Sequence, residues 1–247
     1  MQYAELKVEG YLSSFIKCFW EFKNPGASVG YTILPDSYFD LIVNIQQGVP
    51  VQVMLTGIWS RPEDITVEAG VHMFAIRFRP LAAEYLFRRE IRTLLNTSIS
   101  LPTSFWELGS LDFSNAARAA ATLQQRIAAM LPPASAMDNR RLALFNAIYH
   151  QRQYSISALS EQVHWSSRQI NRYFQQQYGL SLKQFIGIVR CNASYRSIAH
   201  GELASPDVYF DQSHYIKEVK RVTGLSPRLL FRNHNARFLQ LLTIKRE

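Results

Sequence analysis

The chain has 247 residues, 47% of them hydrophobic, enough for one large domain or two ordinary ones with real cores. Its opening, MQYAELKVEG, lacks the basic and apolar regions of a secretory signal, and no apolar run reaches a membrane span, so the expectation is a cytoplasmic protein with no membrane partner. The two cysteines, Cys18 and Cys191, lie too far apart for a disulfide framework or a CxxC metal site, and the 27 Lys+Arg against 19 Asp+Glu leave a net charge of +8.

The first third reads as β-structure. YTILP, YFDLIVNI, VPVQVML and VHMFAIRF are short, rich in β-branched and aromatic residues, and separated by Gly, Pro, Asp and Asn turns. Alternation in the last of these puts Val71, Met73, Ala75 and Arg77 on one face and His72, Phe74, Ile76 and Phe78 on the other. An antiparallel β domain over roughly residues 10 to 80 follows, with helices after it. Asp36 after Pro35 reads as a turn residue. Arg77 is unusual on a face with Met73 and Ala75; it reads as half of an ion pair, with Asp40 a candidate partner, or as an anchor for an anionic effector.

Ser114 to Met130 is rich in good helix formers, with Ser114 placed as its cap. Pro132-Pro133 then stops the helix, and small polar residues follow. The expected division is residues 1–131, a linker at 132–139, and an all-helical part over 140–247. The fold class is α+β: an N-terminal antiparallel β domain with helices, then an all-α domain with two helix-turn-helix units.

That last expectation rests on an echo. Gly179-Leu180-Ser181 returns as Gly224-Leu225-Ser226, 45 residues later. In the first copy, Ile156, Leu159 and Val163 follow Ser155 as an N-cap, and Ser166 with Gln169 forms a capping box opening a second helix. Helical spacing puts Ile170, Tyr173, Phe174 and Tyr178 on one side and Arg168, Asn171, Arg172 and Gln175 on the other. Gly179 reads as a left-handed C-cap. Arginine suits guanine O6/N7 and asparagine suits adenine N6/N7, so the polar side is a candidate base reader in double-stranded DNA. In the second copy Asp211 is the N-cap, Tyr215, Val219 and Val222 form the buried stripe, and Ser213, Lys217 and Lys220 occupy the outward positions. A helix over Leu182 to about Ile198 joins the copies, with Phe185, Ile188 and Val189 on one face. Helical hairpins with solvated polar faces also occur in ordinary bundles, so this geometry admits a structural role too.

Charge favours the DNA reading. Residues 1–137 hold 11 Lys+Arg against 12 Asp+Glu, and residues 138–247 hold 16 against 7, so the whole excess lies with the reading faces. The chain has no GxSxG, HExxH, Walker A or GxGxxG pattern. His72, His150, His164, His200, His214 and His234 show no metal-ligand spacing, so no enzyme, catalytic residue, metal or cofactor is expected.

YFDQSHYIKEVKRVTGLSP resembles the second helix-turn-helix signature of the AraC/XylS family of bacterial transcription regulators, and SSRQINRYFQQQYGLSLKQFIGIVR resembles the first unit with the start of its connecting helix. The resemblance covers about residues 140 to 232 and implies sequence-specific DNA binding, activation or repression of promoters, and contact with RNA polymerase. Carried over by position, it makes Arg168, Asn171 and Arg172 base readers of the first unit and puts Gln212, Ser213, Ile216 and Lys217 at the reading positions of the second. Upstream, ILPDSYFDLIVNI and FAIRFRPLAAEYLF resemble the N-terminal domain of such regulators, which implies a sensor or dimerisation domain, a small-molecule effector and a homodimer. Two departures stand out. AHGELASPDVYFDQ is too short for the usual helix before the second signature, and His164 stands where a glycine is usual. The alternative function is a small-molecule-binding or enzymatic β domain carrying a nonspecific nucleic-acid-binding tail.

Overall fold

The computed structural model describes residues 2–233 and 238–244; His234 falls outside them. The protein is α+β, with an antiparallel sheet in its N-terminal part and helices in its C-terminal part. The strands are β1 (Gln2–Lys7), β2 (Ile16–Lys23), β3 (Val29–Ile33), β4 (Phe39–Gln46), β5 (Val49–Thr56), β6 (Glu63–Val67), β7 (His72–Phe78) and β8 (Ser98–Leu101). Six of them form one sheet in the order β1-β2-β7-β4-β5-β8, and β3 pairs with β6 in a second. The sheet therefore reaches beyond the expected residues 10 to 80 at both ends. β1 and β8 are edge strands whose short polar sequences carry little strand signal.

Both faces of the large sheet are covered. Phe74, Ile76 and Phe78 enter the main core with Phe19, Phe39, Leu41, Val43 and Leu55, while Ala75 and Met73 turn the other way toward Trp20, Phe22, Tyr31 and Val67. This is the alternation expected for β7. A register shift between Ile16 and Cys18 lets Ile16 and Phe19, of opposite parity, both face the main core.

The helices are α1 (Ala82–Tyr85), α2 (Ala116–Met130), α3 (Asn139–Tyr149), α4 (Ile156–Gln162), α5 (Ser167–Tyr178), α6 (Leu182–His200), α7 (Gln212–Thr223), α8 (Pro227–Asn233) and α9 (Leu239–Ile244). The cap of α2 is Asn115, whose side chain accepts from the Arg118 N–H. Ser114 is instead held one position upstream, its N–H donating to Asp112. α6 runs two residues past the expected end, to a left-handed Gly201.

The helical part is locked onto the loop Leu34–Ser37 by side chains distant in sequence. The Tyr195 hydroxyl donates to the Pro35 carbonyl at 2.8 Å, the Asn192 amide to the Asp36 carbonyl at 2.9 Å, and the Tyr149 hydroxyl to the Ser37 carbonyl at 3.0 Å. On α1, half-buried Glu84 accepts from Tyr173 of α5 and pairs with Arg141 of α3. Core side chains of the two parts join in one cluster.

Candidate nucleic-acid interface

α5 is held at both ends by its own sequence. The Ser166 hydroxyl accepts from the Gln169 N–H while Gln169 accepts from the Ser166 N–H, and Gly179 closes the helix at φ 73°. His164, in the turn after α4, takes φ 50°, a conformation that favours glycine. Ile170, Tyr173, Phe174 and Tyr178 are buried. Arg168, Arg172 and Gln175 stand exposed on the opposite side. Asn171 is half-buried, and its Oδ1 accepts the Leu182 N–H at 3.1 Å, satisfying a free amide at the start of α6.

α7 is opened by Asp211, which accepts the His214 N–H at 2.7 Å, and closed by Gly224 at φ 77°. Tyr215, Val219 and Val222 are buried, and Ser213, Ile216, Lys217 and Lys220 are exposed. Gln212 is exposed but tied back to the preceding loop, accepting from the Ser205 N–H at 2.7 Å and donating to the Leu203 carbonyl at 3.0 Å. No described helix lies between α6 and Asp211, so α7 packs on α6 and α8 without a short helix of its own before it. Buried Glu218, nearly two turns into α7, gathers Arg190 and Arg221, with His214 at 3.5 Å. Those cations are thereby partly neutralised, leaving Lys217 and Lys220 as the more available charges. α6, which joins the two in the chain, has 19 residues and is about 28 Å long.

Sequence reasoning passed over Phe210. Its side chain is 92% exposed, immediately before the α7 cap, between buried Tyr209 and Asp211. The only available signal was an aromatic residue beside an N-cap.

A second feature lies between the two sheets. A cavity of about 660 Å³ is lined by Tyr3, Trp20, Trp59 and Met73 from the N-terminal part and by Leu239, Gln240 and Thr243 of α9. Arg77 stands in its wall as half of an ion pair, as expected: Nε and Nη2 donate to Asp40 at 3.1 and 3.3 Å, and Nη1 lies 3.7 Å from Asp36. Trp20 Nε1 also donates to Asp40, at 3.1 Å. Asp36 is more than a turn residue. It accepts the Tyr38 N–H at 3.1 Å, and burial pushes its carboxyl up to about 6, with Arg77 opposing and Asp40 adding to the rise. Burial also pushes the Cys18 and Cys191 thiols up, to about 12 for Cys191, which keeps both protonated and inert. Among the described residues no His, Cys, Asp and Glu cluster could hold a metal ion, and no helix is long and apolar enough to cross a membrane.

Residues 7–100 match a family described as a domain of unknown function, DUF6597. No curated protein matches the chain. Similar solved structures include an apo variant of ToxT from Vibrio cholerae, at 8% identity over 92% of this chain and 98% of that one, with a TM-score of 0.42. ToxT from Vibrio cholerae in a P21 crystal form is 10% identical over 94% of this chain and 97% of that one, at a TM-score of 0.39. ToxT bound to (E)-4-(8-methylnaphthalen-1-yl)but-3-enoic acid is 10% identical over 94% and 98%, also at 0.39.

Proposed function

We infer that the chain is a sequence-specific DNA-binding transcription regulator of the AraC type, with residues 140–247 as the DNA-binding part and residues 1–131 as a regulatory part. The observation that carries this is the exposed row Arg168, Arg172 and Gln175 on a helix whose other side is buried, within the segment that holds all of the excess positive charge.

In this reading α4 and α5 form a helix-turn-helix unit, and α5 enters a major groove. Arg168 and Arg172 grip base edges bidentately, and Gln175 reaches the same groove. Asn171 gives its oxygen to α6, so its amide N–H is what remains for a base. α7 approaches the next groove with Ser213 and Lys217, with Ile216 against a thymine methyl, and with Lys220 on phosphate; Gln212 chiefly holds the loop before it. The second unit lacks its own first helix, so α6 and α8 support α7. The cavity between the sheets takes a small-molecule effector, and RNA polymerase and a second copy of the chain are further partners.

The test is selection of duplexes from a random library by the purified protein at near-physiological salt, with Arg168→Ala/Arg172→Ala alongside. An enriched motif that the double variant loses supports the reading. Uniform binding that fades with salt for every sequence would leave only a basic helical surface, and function would then rest with the cavity.

A further inference from the structure

The chemistry of the cavity wall identifies the class of ligand. Among the described residues, its acidic and basic side chains are Asp36, Asp40, Glu63, Glu68, His72 and Arg77. Arg77 is already engaged from three of its nitrogens by Asp40 and Asp36, and the Trp20 ring lies 5.9 Å from its guanidinium carbon. An entering anion would have to displace a carboxylate from it. His72 sits 2.8 Å from Glu21 and is likewise partnered. Among the described residues, the buried cluster therefore sets two carboxylates, 8% and 15% exposed, against one guanidinium, with Glu63 and Glu68 adding negative charge toward the rim. An uncompensated buried negative charge is costly, and a ligand cation offsets it where an anion worsens it. Tyr3 and Trp59 also line the cavity, and aromatic rings attract cations, as Trp20 already does with Arg77.

We propose that this cavity binds an organic cation, an amine or guanidine carried on an apolar body, with Asp36 as its counter-ion and Trp20 and Trp59 among its walls. The site also reaches the helical part. Leu239, Gln240 and Thr243 of α9 close one side of it, and the carbonyl of Asp36 itself is held by Asn192 of α6. A cation drawing on Asp36 thus acts on the residue where cavity and helical part meet. That regulatory consequence rests on the function proposed above; binding itself does not.

The experiment titrates the full chain, without DNA, with phenethylamine and octylamine and with their carboxylate counterparts 3-phenylpropionate and octanoate, by calorimetry and tryptophan fluorescence. At least one amine should bind saturably, with its carboxylate counterpart weaker by about tenfold or more. Asp36→Asn should weaken the amine to a similar degree. Glu63→Gln, a partly exposed change that leaves the buried cluster intact, should weaken it less but measurably, and it stands in if Asp36→Asn does not fold. Carboxylates binding as tightly as the amines, no amine binding at millimolar concentration, or amine affinity indifferent to the folded variants would each overturn the proposal. Because no DNA is present, failure here is separate from failure of the duplex selection.

Discussion

The side-chain amide of Gln240 clasps both backbone groups of Leu34, 206 residues away: Oε1 accepts the Leu34 N–H at 2.7 Å and Nε2 donates to the Leu34 carbonyl at 2.8 Å. Leu34 is fully buried, so neither group has water as a substitute. Gln240→Ala should cost about 1–3 kcal/mol for each group left unpaired, read from urea unfolding. A loss confined to a few tenths would mean that α9 detaches without consequence for the rest of the fold.

The turn at His164 stores removable strain. His164→Gly should raise stability by about 0.5 kcal/mol, since the relief at φ 50° exceeds the entropy that glycine adds to the unfolded chain. His164→Val should lower it, because a branched Cβ suits that backbone least. The reverse order in denaturant midpoints would place the strain elsewhere.

Asn171 and Arg172 are neighbours with different expected roles. Asn171→Ala should lower stability by about 1 kcal/mol through loss of the Leu182 N–H partner. Arg172→Ala, on the exposed side, should change it by less than about 0.5 kcal/mol. Thermal and urea denaturation of the two variants separate these outcomes.

On the selected duplex, Arg172→Ala should cost about 1–3 kcal/mol and relax discrimination at one position. Lys220→Ala should weaken all sequences alike and reduce the salt slope by about 1. Phe210→Ala should leave folding unchanged, as its side chain is 92% exposed, while reducing discrimination if it meets a thymine methyl. Competition titrations at several salt concentrations distinguish the three patterns.

Asp36 predicts the sign of a pH effect. Its carboxyl is raised from 3.8 to about 6 by burial, so the native state holds a proton that the unfolded chain has released. The stability it contributes is present below about pH 4 and is lost as pH rises through 6, about 3 kcal/mol in all. Glu84, raised by burial, slopes the same way, and Glu21 and Asp138, lowered by their cationic partners, slope oppositely. The measurement is therefore the difference between wild type and Asp36→Asn across pH 4 to 7, and parallel curves would contradict it.

What the sequence by itself determined is the local grammar. Ser166 with Gln169, Asp211, Gly179 and Gly224 announce helix ends because the free amides and carbonyls of a helix are satisfied within three or four residues. The buried stripe of α5 and the two faces of β7 follow from periods of 3.6 and 2, and the outward positions Arg168, Arg172 and Lys217 follow with them. The cap of α2 slipped by one residue, since Ser114 and Asn115 are both competent acceptors and only the turn at Asp112 chooses between them.

Tertiary structure decided the rest. That Asn171 would spend its oxygen on Leu182, that Glu84 would tie α1 to α5, and that Pro35, Asp36 and Ser37 would be gripped by Tyr195, Asn192 and Tyr149 depends on partners 11 to 160 residues away. The cavity depends on α9 returning to β3 and on Arg77 meeting two carboxylates. Periodicity tells which face a side chain occupies; the identity of the group opposite is set only when separate elements pack and each buried polar atom must find a partner.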